Sequence, residues 1–238
     1  MQGQMQQRVG KKALAALQFI GQGSALGMQM HEREQEILAE NAAWQLQIVE
    51  AFGICPFARR CRLEGKLLRR VLAGQGLALE QRLQAEIQHL HENPQGCEVA
   101  LLLCPDEKLS APQFERLVQR VAQRSLEPQF HVVAFHPQMQ WSEETPQKLV
   151  GFWRQSPHPT VQLVHIATLN RLQGEPPPRY VDPHDRVALT ALLGQEPTLE
   201  LTAKIAEHNW QTFRTHDATL RKLNQSFQVL ARDASNRT

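Results

Sequence analysis

Apolar residues recur at helical spacing in four parts of the chain, and each of these stripes predicts an amphipathic helix. Gly53 follows the first stripe at a position typical of a C-terminal cap. Ser110 and Gln113 begin the third stripe with the pattern of a capping box. Cys55 therefore lies just beyond the end of a predicted helix. The four stripes cover residues 37–52, 79–90, 114–121 and a long run from Thr198 onward.

Short apolar runs between these stripes predict the strands of a sheet. Val99–Leu103 and Val132–Phe135 are continuous runs, which are typical of strands covered on both faces, and 67–72 predicts a shorter strand. A strand, a helix and a strand with short connections predict two neighbouring parallel strands joined by a right-handed crossover. We therefore expect an α/β fold with a small, mostly parallel sheet, flanking helices and a long C-terminal helix.

The chain after the second apolar run is less regular, and it predicts more helix than strand. Residues 145–153 have weak helical spacing, and Ser156-Pro157-His158-Pro159 predicts a rigid turn. Thr160 is then expected to cap a helix that carries Val161, Val164, Leu169 and Leu172. A further short helix is expected over residues 187–193.

Composition limits the classes of protein that fit this chain. Its 238 residues are 42% hydrophobic and carry a net charge of +2 with both signs mixed, which argues against a nucleic-acid-binding surface. Apolar runs are too short to cross a membrane. Four cysteines without a Cys-x-x-Cys pair indicate reduced thiols and a cytoplasmic location.

The ends of the chain predict two appendages to one core domain. Residues 1–32 are rich in glutamine and predict an N-terminal extension, whereas 33–215 predict a single α/β core. The C-terminal helix has apolar residues every seven positions, but Asn209 and His216 interrupt the offset positions. This pattern predicts packing on the domain or against a partner helix, and homo-oligomerisation through residues 216–238 is one outcome.

Four Cys or His residues stand directly before proline, namely Cys55, Cys104, His136 and His158. Proline narrows the backbone choices of the residue before it and so helps to aim its side chain. Cys104 and His136 also end the two apolar strands, where ligands bind in parallel α/β sheets. We therefore expect Cys55, Cys104 and His136 to share one pocket. Expected substrate contacts are Phe57, Arg59, Trp141, Ser156 and His158.

Three interpretations of these residues remain open. In the first interpretation, the cysteines are small, buried hydrophobic residues without a chemical role. In the second, Cys55, Cys104 and His136 bind zinc, with His158 or water as fourth ligand, and the protein is a hydrolytic enzyme. In the third, Cys55 is a metal-free nucleophile with His136 as its base. A small-molecule ligand fits both enzyme interpretations. A non-catalytic assembly protein that uses the C-terminal helix is the competing class.

The chain resembles domain-of-unknown-function family 1415 over residues 33–215. Four features carry the resemblance: Ile54-Cys55-Pro56-Phe57-Ala58, Phe135-His136-Pro137, Ser156-Pro157-His158-Pro159-Thr160 and the spacing from Ile205 to Asn209. The resemblance implies no activity, since the family has none assigned. It does imply that residues 174–195 and the tail after His216 are additions to the family core.

Overall fold

The computed structural model describes residues 30–55, 58–93, 96–124, 130–166 and 199–236. The chain there forms helices on both faces of a four-stranded sheet. The helices are α1 (30–44), α2 (Ala58–Leu63), α3 (Gly76–Glu92), α4 (Ala111–Gln123), α5 (Val150–Trp153) and α6 (Leu199–Asn236). The strands are β1 (Leu67–Val71), β2 (Val99–Leu103), β3 (Phe130–Phe135) and β4 (Thr160–His165).

Helix α1 confirms the first predicted stripe, with one difference at its C-terminal end. The helix continues as a π-helical turn over Gln45–Glu50, and Gly53 then adopts φ +64°, which favours glycine. The apolar stripe of α1 is buried as expected, at Ile37, Trp44 and Ile48. Cys55 follows this helix, so its predicted place beyond a helix end is confirmed.

The sheet is mixed, so the prediction of a mostly parallel sheet was wrong. Its strand order is β1-β2-β4-β3, with β1 parallel to β2 and with β4 antiparallel to both β2 and β3. The strands β2 and β3 run in the same direction, but β4 lies between them. The two strands that we expected to be neighbours are therefore two positions apart.

Strand β4 occupies the segment for which a helix capped by Thr160 was predicted, and that prediction was wrong. Thr160–His165 contains three β-branched residues and is one of the two interior strands of the sheet. Pairing with β2 on one side and β3 on the other satisfies the hydrogen-bonding groups of the β4 backbone. This non-local pairing outweighs the weak helical spacing of the segment. Residues 169 and 172 lie outside the described part of the chain.

Two larger apolar clusters cover the two faces of the sheet. On one face, β2, β3 and β4 pack against α3 and α4 around Phe114, Leu79 and Leu83. The capping box of α4 is formed, since the backbone N–H of Ser110 donates to the side chain of Gln113 at 2.9 Å. The opposite face is covered by α1, α2, α5 and α6.

The C-terminal helix is present, with a kink at His216. It packs on the domain through Phe213, Leu220 and Phe227, which belong to the same apolar cluster as Trp44 and Trp153. The predicted boundary at residue 216 falls at this kink, and the boundary stays a prediction. No helix in the described ranges is long and apolar enough to cross a membrane. The N-terminal extension, the proposed insertion at 174–195 and the helix over 187–193 fall outside the described residues.

Candidate functional site

Cys104 and His136 both lie at the carboxyl edge of the sheet, as the strand ends predicted. Leu103 and Phe135 are each paired with Thr160, so Cys104 and His136 follow at the same level on either side of β4. Two strand spacings separate them, which is about 10 Å. Backbone hydrogen bonds tie both residues to the turn that enters β4. The Cys104 N–H donates to the Pro159 oxygen at 2.7 Å, and the His136 N–H donates to the Arg154 oxygen at 3.0 Å.

The Cys104 thiol is fully buried in the cluster between the sheet and α3 and α4. It donates a weak hydrogen bond of 3.6 Å to the oxygen of Leu102 on its own strand. Burial, with the nearby Glu107 and Asp106 carboxylates, raises the pKa of Cys104 far above the usual range of a thiol. This environment favours a neutral thiol that acts as a small hydrophobic group.

The His136 ring is held by two backbone groups. Its Nδ1 accepts from the Gln138 N–H at 3.0 Å, so Nε2 carries the proton and donates to the Leu109 oxygen at 3.0 Å. Burial lowers the pKa of His136 and favours this neutral form. Both ring nitrogens are therefore engaged, and a role as base or metal ligand would require one of these bonds to open.

The Ser156-to-Pro159 turn is buried and held together by its own hydrogen bonds. The hydroxyl groups of Ser156 and Thr160 both donate to the His158 oxygen, at 2.5 and 2.8 Å. The His158 ring is 3% exposed, and its Nε2 lies 2.7 Å from a carboxylate oxygen of Glu40 on α1. The turn therefore anchors α1 over the carboxyl edge of the sheet.

Cys55 lies on the opposite face of the sheet from Cys104 and His136. It packs with Cys61, Val99 and Leu101, on the side covered by α1 and α2. The described part of the chain has no group of three or more His, Cys, Asp or Glu side chains placed to hold a metal ion. The structure thus does not bring the three predicted zinc ligands together.

The other predicted contacts are spread over different places. Ser156 lies near Cys55, whereas Arg59 is exposed on α2. Trp141 packs against Phe152 and Phe213, with ring centroids 5.0 and 5.7 Å away. It also lines an open groove beside α4, on the outer side of this aromatic group. Phe57 lies outside the described residues.

A partly enclosed cavity of about 70 Å³ lies between the sheet and α1. Trp44, Ile54 and Trp153, from the larger apolar cluster of this face, line one side of the cavity. Val99 and Leu101, from a smaller cluster on the sheet, line the other side. Cys55 and Ser156 both line it, so two of the predicted site residues do converge. Its remaining lining residues are Asn41, Gln45, Val49, Ala58, Cys61, Leu67, Phe135, Thr160, Gln162 and Val164.

Two residues that line this cavity each have a buried hydrogen-bond donor without a partner among the described residues. The two donors are Nδ2 of Asn41, a residue with no exposed surface, and the indole Nε1 of Trp153, a residue that is 3% exposed. Buried donors are nearly always paired, and leaving one unpaired costs about 1–3 kcal/mol. Sequence reasoning missed both residues, since they stand within helical stripes and no local pattern marks an unpaired donor.

A basic network borders the cavity beside Asn41. The Arg69 side chain on β1 donates to Asn41 Oδ1 at 2.9 Å and also to Gln45. Gln45 in turn donates to Glu50 at 2.8 Å, and Glu50 receives two hydrogen bonds from Arg62. Hydrogen bonding to Arg62, above all, lowers the pKa of Glu50 despite partial burial. Arg62 therefore pairs with the carboxylate, and Arg69 has amide oxygens as its partners.

The fold and the cavity together define a mixed α/β protein with a largely apolar pocket on the face of its sheet that α1 covers. The chain belongs to the family described as "Protein of unknown function (DUF1415)", which matches residues 36–179, more than half of its length. Neither a curated protein nor a solved structure matches the chain. The predicted family membership is thus confirmed.

Proposed function

We propose that this protein binds a small molecule in the cavity between the sheet and α1. The observation that carries this proposal is the pair of unpartnered buried donors, Asn41 Nδ2 and Trp153 Nε1, on residues that line a largely apolar pocket. Ligand sites are typically apolar concavities with a few polar groups that fix the orientation of the ligand. An acceptor group on the ligand would satisfy donors that the protein leaves unpaired.

A ligand screen by thermal unfolding tests this proposal. Binding to the folded state alone raises stability by about 2.7 kcal/mol at a ligand concentration one hundred times Kd, so a true ligand raises the unfolding temperature. The screen should use small neutral and charged compounds, since the cavity has room for about five water-sized positions at roughly 10–15 Å³ each.

A matched pair of variants separates cavity binding from binding elsewhere. Leu67→Trp fills the cavity from the edge strand, whereas Leu63→Trp makes the same change at an exposed position of α2. Compounds that stabilise the wild type should lose their effect in Leu67→Trp and keep it in Leu63→Trp. Equal stabilisation of both variants would place the ligand outside the cavity and would count against the proposal.

A thiol-dependent enzyme is a second candidate, because Cys55 lines the same cavity and is half-buried. A nucleophile at this position would attack a ligand held by the two donors. Cys55→Ser should then retain ligand binding and lose turnover of that ligand, and unchanged turnover would remove this candidate. The zinc-dependent alternative has less support, since Cys55 lies on one face of the sheet and Cys104 and His136 on the other.

A further inference from the structure

The orientation of the Asn41 amide can be assigned from its partner. Arginine has donors and no acceptor, so the Asn41 atom that lies 2.9 Å from Arg69 Nε must be the carbonyl oxygen. Arg69 thus excludes the flipped amide, and the NH₂ group must lie on the other side. This NH₂ group is the unpartnered one, and it belongs to a residue that lines the cavity. Arg69 therefore acts as a positioning residue for the donor of a residue that lines the pocket.

The second unpartnered group is the indole Nε1 of Trp153, and it also requires a hydrogen-bond acceptor. An indole nitrogen can only donate a hydrogen bond. The two groups come from α1 and α5, which are far apart in the chain. A ligand group with several lone pairs, such as a carboxylate, can accept from both, whereas an ammonium group can accept from neither.

The charges around the pocket favour an anionic acceptor. None of the described residues that line it is Asp or Glu. The carboxylates beside lining residues have partners of their own. Glu50 is held by Arg62, and Glu40 faces His158. Glu98, which contacts the lining residue Cys61, pairs with Arg60 and Lys66. Arg69 is bonded to the amide oxygens of Asn41 and Gln45, and the described residues supply it with no carboxylate in contact. Its charge polarises the Asn41 amide and strengthens the donor on its far side.

The protonation state of Arg69 agrees with an anionic acceptor in the pocket. Burial lowers the pKa of the Arg69 guanidinium, although the nearby Glu50 carboxylate acts in the opposite direction. The group remains charged at neutral pH, because the ordinary pKa of arginine lies far above it. A partly buried cation with neutral partners gains when an anion comes close.

We infer that the ligand of this cavity is a small monocarboxylate with an apolar body, whose carboxylate accepts hydrogen bonds from Asn41 Nδ2 and Trp153 Nε1. This inference rests on the proposed binding function and names its ligand class. The apolar lining, including Val99, Leu101 and Ile54, suits a short hydrocarbon chain. The volume restricts the ligand to a molecule of about butanoate size.

Butanoate and its amide, butanamide, test the role of charge at nearly constant shape. The four tryptophans give four indole N–H signals in a ¹⁵N-correlated spectrum, and Trp153→Phe identifies the signal of Trp153. Butanoate should shift this signal and saturate it, and butanamide should need at least ten times the concentration. A charged acceptor that polarises the indole N–H is expected to move its proton signal downfield.

Two pairs of variants test the residues. Asn41→Asp keeps the shape and can pair with Arg69, but it replaces the free donor by an acceptor that repels a carboxylate. We expect a loss of at least tenfold in butanoate affinity and a smaller change for butanamide. Arg69→Gln should also weaken butanoate binding. Its control is Arg70→Gln on the same strand, since Arg70 pairs with Glu86 of α3, and this variant should leave butanoate binding unchanged.

The possible results separate this inference from the proposed function. Butanamide binding that equals butanoate binding, with a shifted Trp153 signal, would refute the anionic ligand and leave small-molecule binding intact. Butanoate that binds without moving the Trp153 signal would lie elsewhere and would overturn the inference. If neither probe nor any compound of the screen moves that signal, both proposals fail. An equal loss in Arg69→Gln and Arg70→Gln would refute the positioning role of Arg69.

Discussion

The C-terminal helix should contribute to the stability of the domain through Phe213. This residue is fully buried and lies against Phe152, Trp141 and Trp153, with ring centroids 4.9, 5.7 and 6.1 Å away. Substitution by alanine removes the ring from the centre of the cluster that joins α6 to the core. The change therefore tests whether α6 is part of the folded domain, as its packing indicates, or an arm for partner binding.

The expected cost follows from burial and ring packing. A fully buried Phe→Ala change costs about 3–5 kcal/mol, which includes the cavity that remains. Each edge-to-face contact contributes about 0.5–1.5 kcal/mol beyond burial, but the contacts share atoms and are not additive. We therefore expect Phe213→Ala to cost about 4 kcal/mol. This is a large fraction of the roughly 5–15 kcal/mol by which domains are stable.

Urea unfolding followed by circular dichroism measures this cost. The control on the same helix is Val229→Ala, since Val229 is 48% exposed. An exposed substitution should change the free energy of unfolding by less than about 0.5 kcal/mol. The unfolding midpoint of the wild type should also be independent of protein concentration, because the helix packs within its own chain.

Two results would contradict this reasoning. A cost below about 1 kcal/mol for Phe213→Ala would show that the ring is not buried against the core in solution. A midpoint that rises with protein concentration would show that folding depends on a second copy. The second result would favour the assembly class, in which the C-terminal helix makes a homo-oligomer.

Three further predictions concern other parts of the domain. Gly151→Ala should cost more than about 2 kcal/mol, because its new Cβ would lie 1.9 Å from the Gln140 backbone oxygen, and a wild-type unfolding midpoint would refute this close approach. Cys55 should react with iodoacetamide before the other three cysteines, since burial raises the pKa of each of their thiols; peptide mass spectrometry gives the order, and slower labelling of Cys55 would refute it. Burial by itself would raise the pKa of Glu98, but Lys66 and Arg60 outweigh it and hold that pKa below the ordinary value of a Glu carboxyl. The ionised carboxylate therefore stabilises the fold above the ordinary Glu pKa, and this stabilisation is lost as the pH falls through the lowered pKa. In urea titrations, Glu98→Gln should be less stable than the wild type at pH 7 and lose less stability on acidification, and equal pH dependence would contradict the coupling.

Part of the candidate site was predictable from the sequence and part was not. Cys55 and Ser156 were selected as site residues, and both line the cavity. Cys104 and His136 were placed correctly at the carboxyl edge, but their side chains lie on the face of α4. Successive residues of a strand point to opposite faces of the sheet, so a strand end that lies one position earlier or later reverses the face. The sequence did not predict the face of these two strand-end residues. The role of Cys104 as a metal ligand and the role of His136 as a metal ligand or catalytic base therefore stay predictions.

The sequence by itself determined the local elements, because periodicity, capping and turn residues act over a few positions. It predicted β2, the capping box of α4 and the glycine at the end of the first helix, each from neighbouring residues. Strand order depends on pairing between distant segments, so only the tertiary structure decided that β4 separates β2 from β3. The cavity likewise arises where α1 and α5 meet the sheet. Whether Asn41 and Trp153 keep unpaired donors depends on every neighbour that packing brings to them, and no stretch of sequence contains that information.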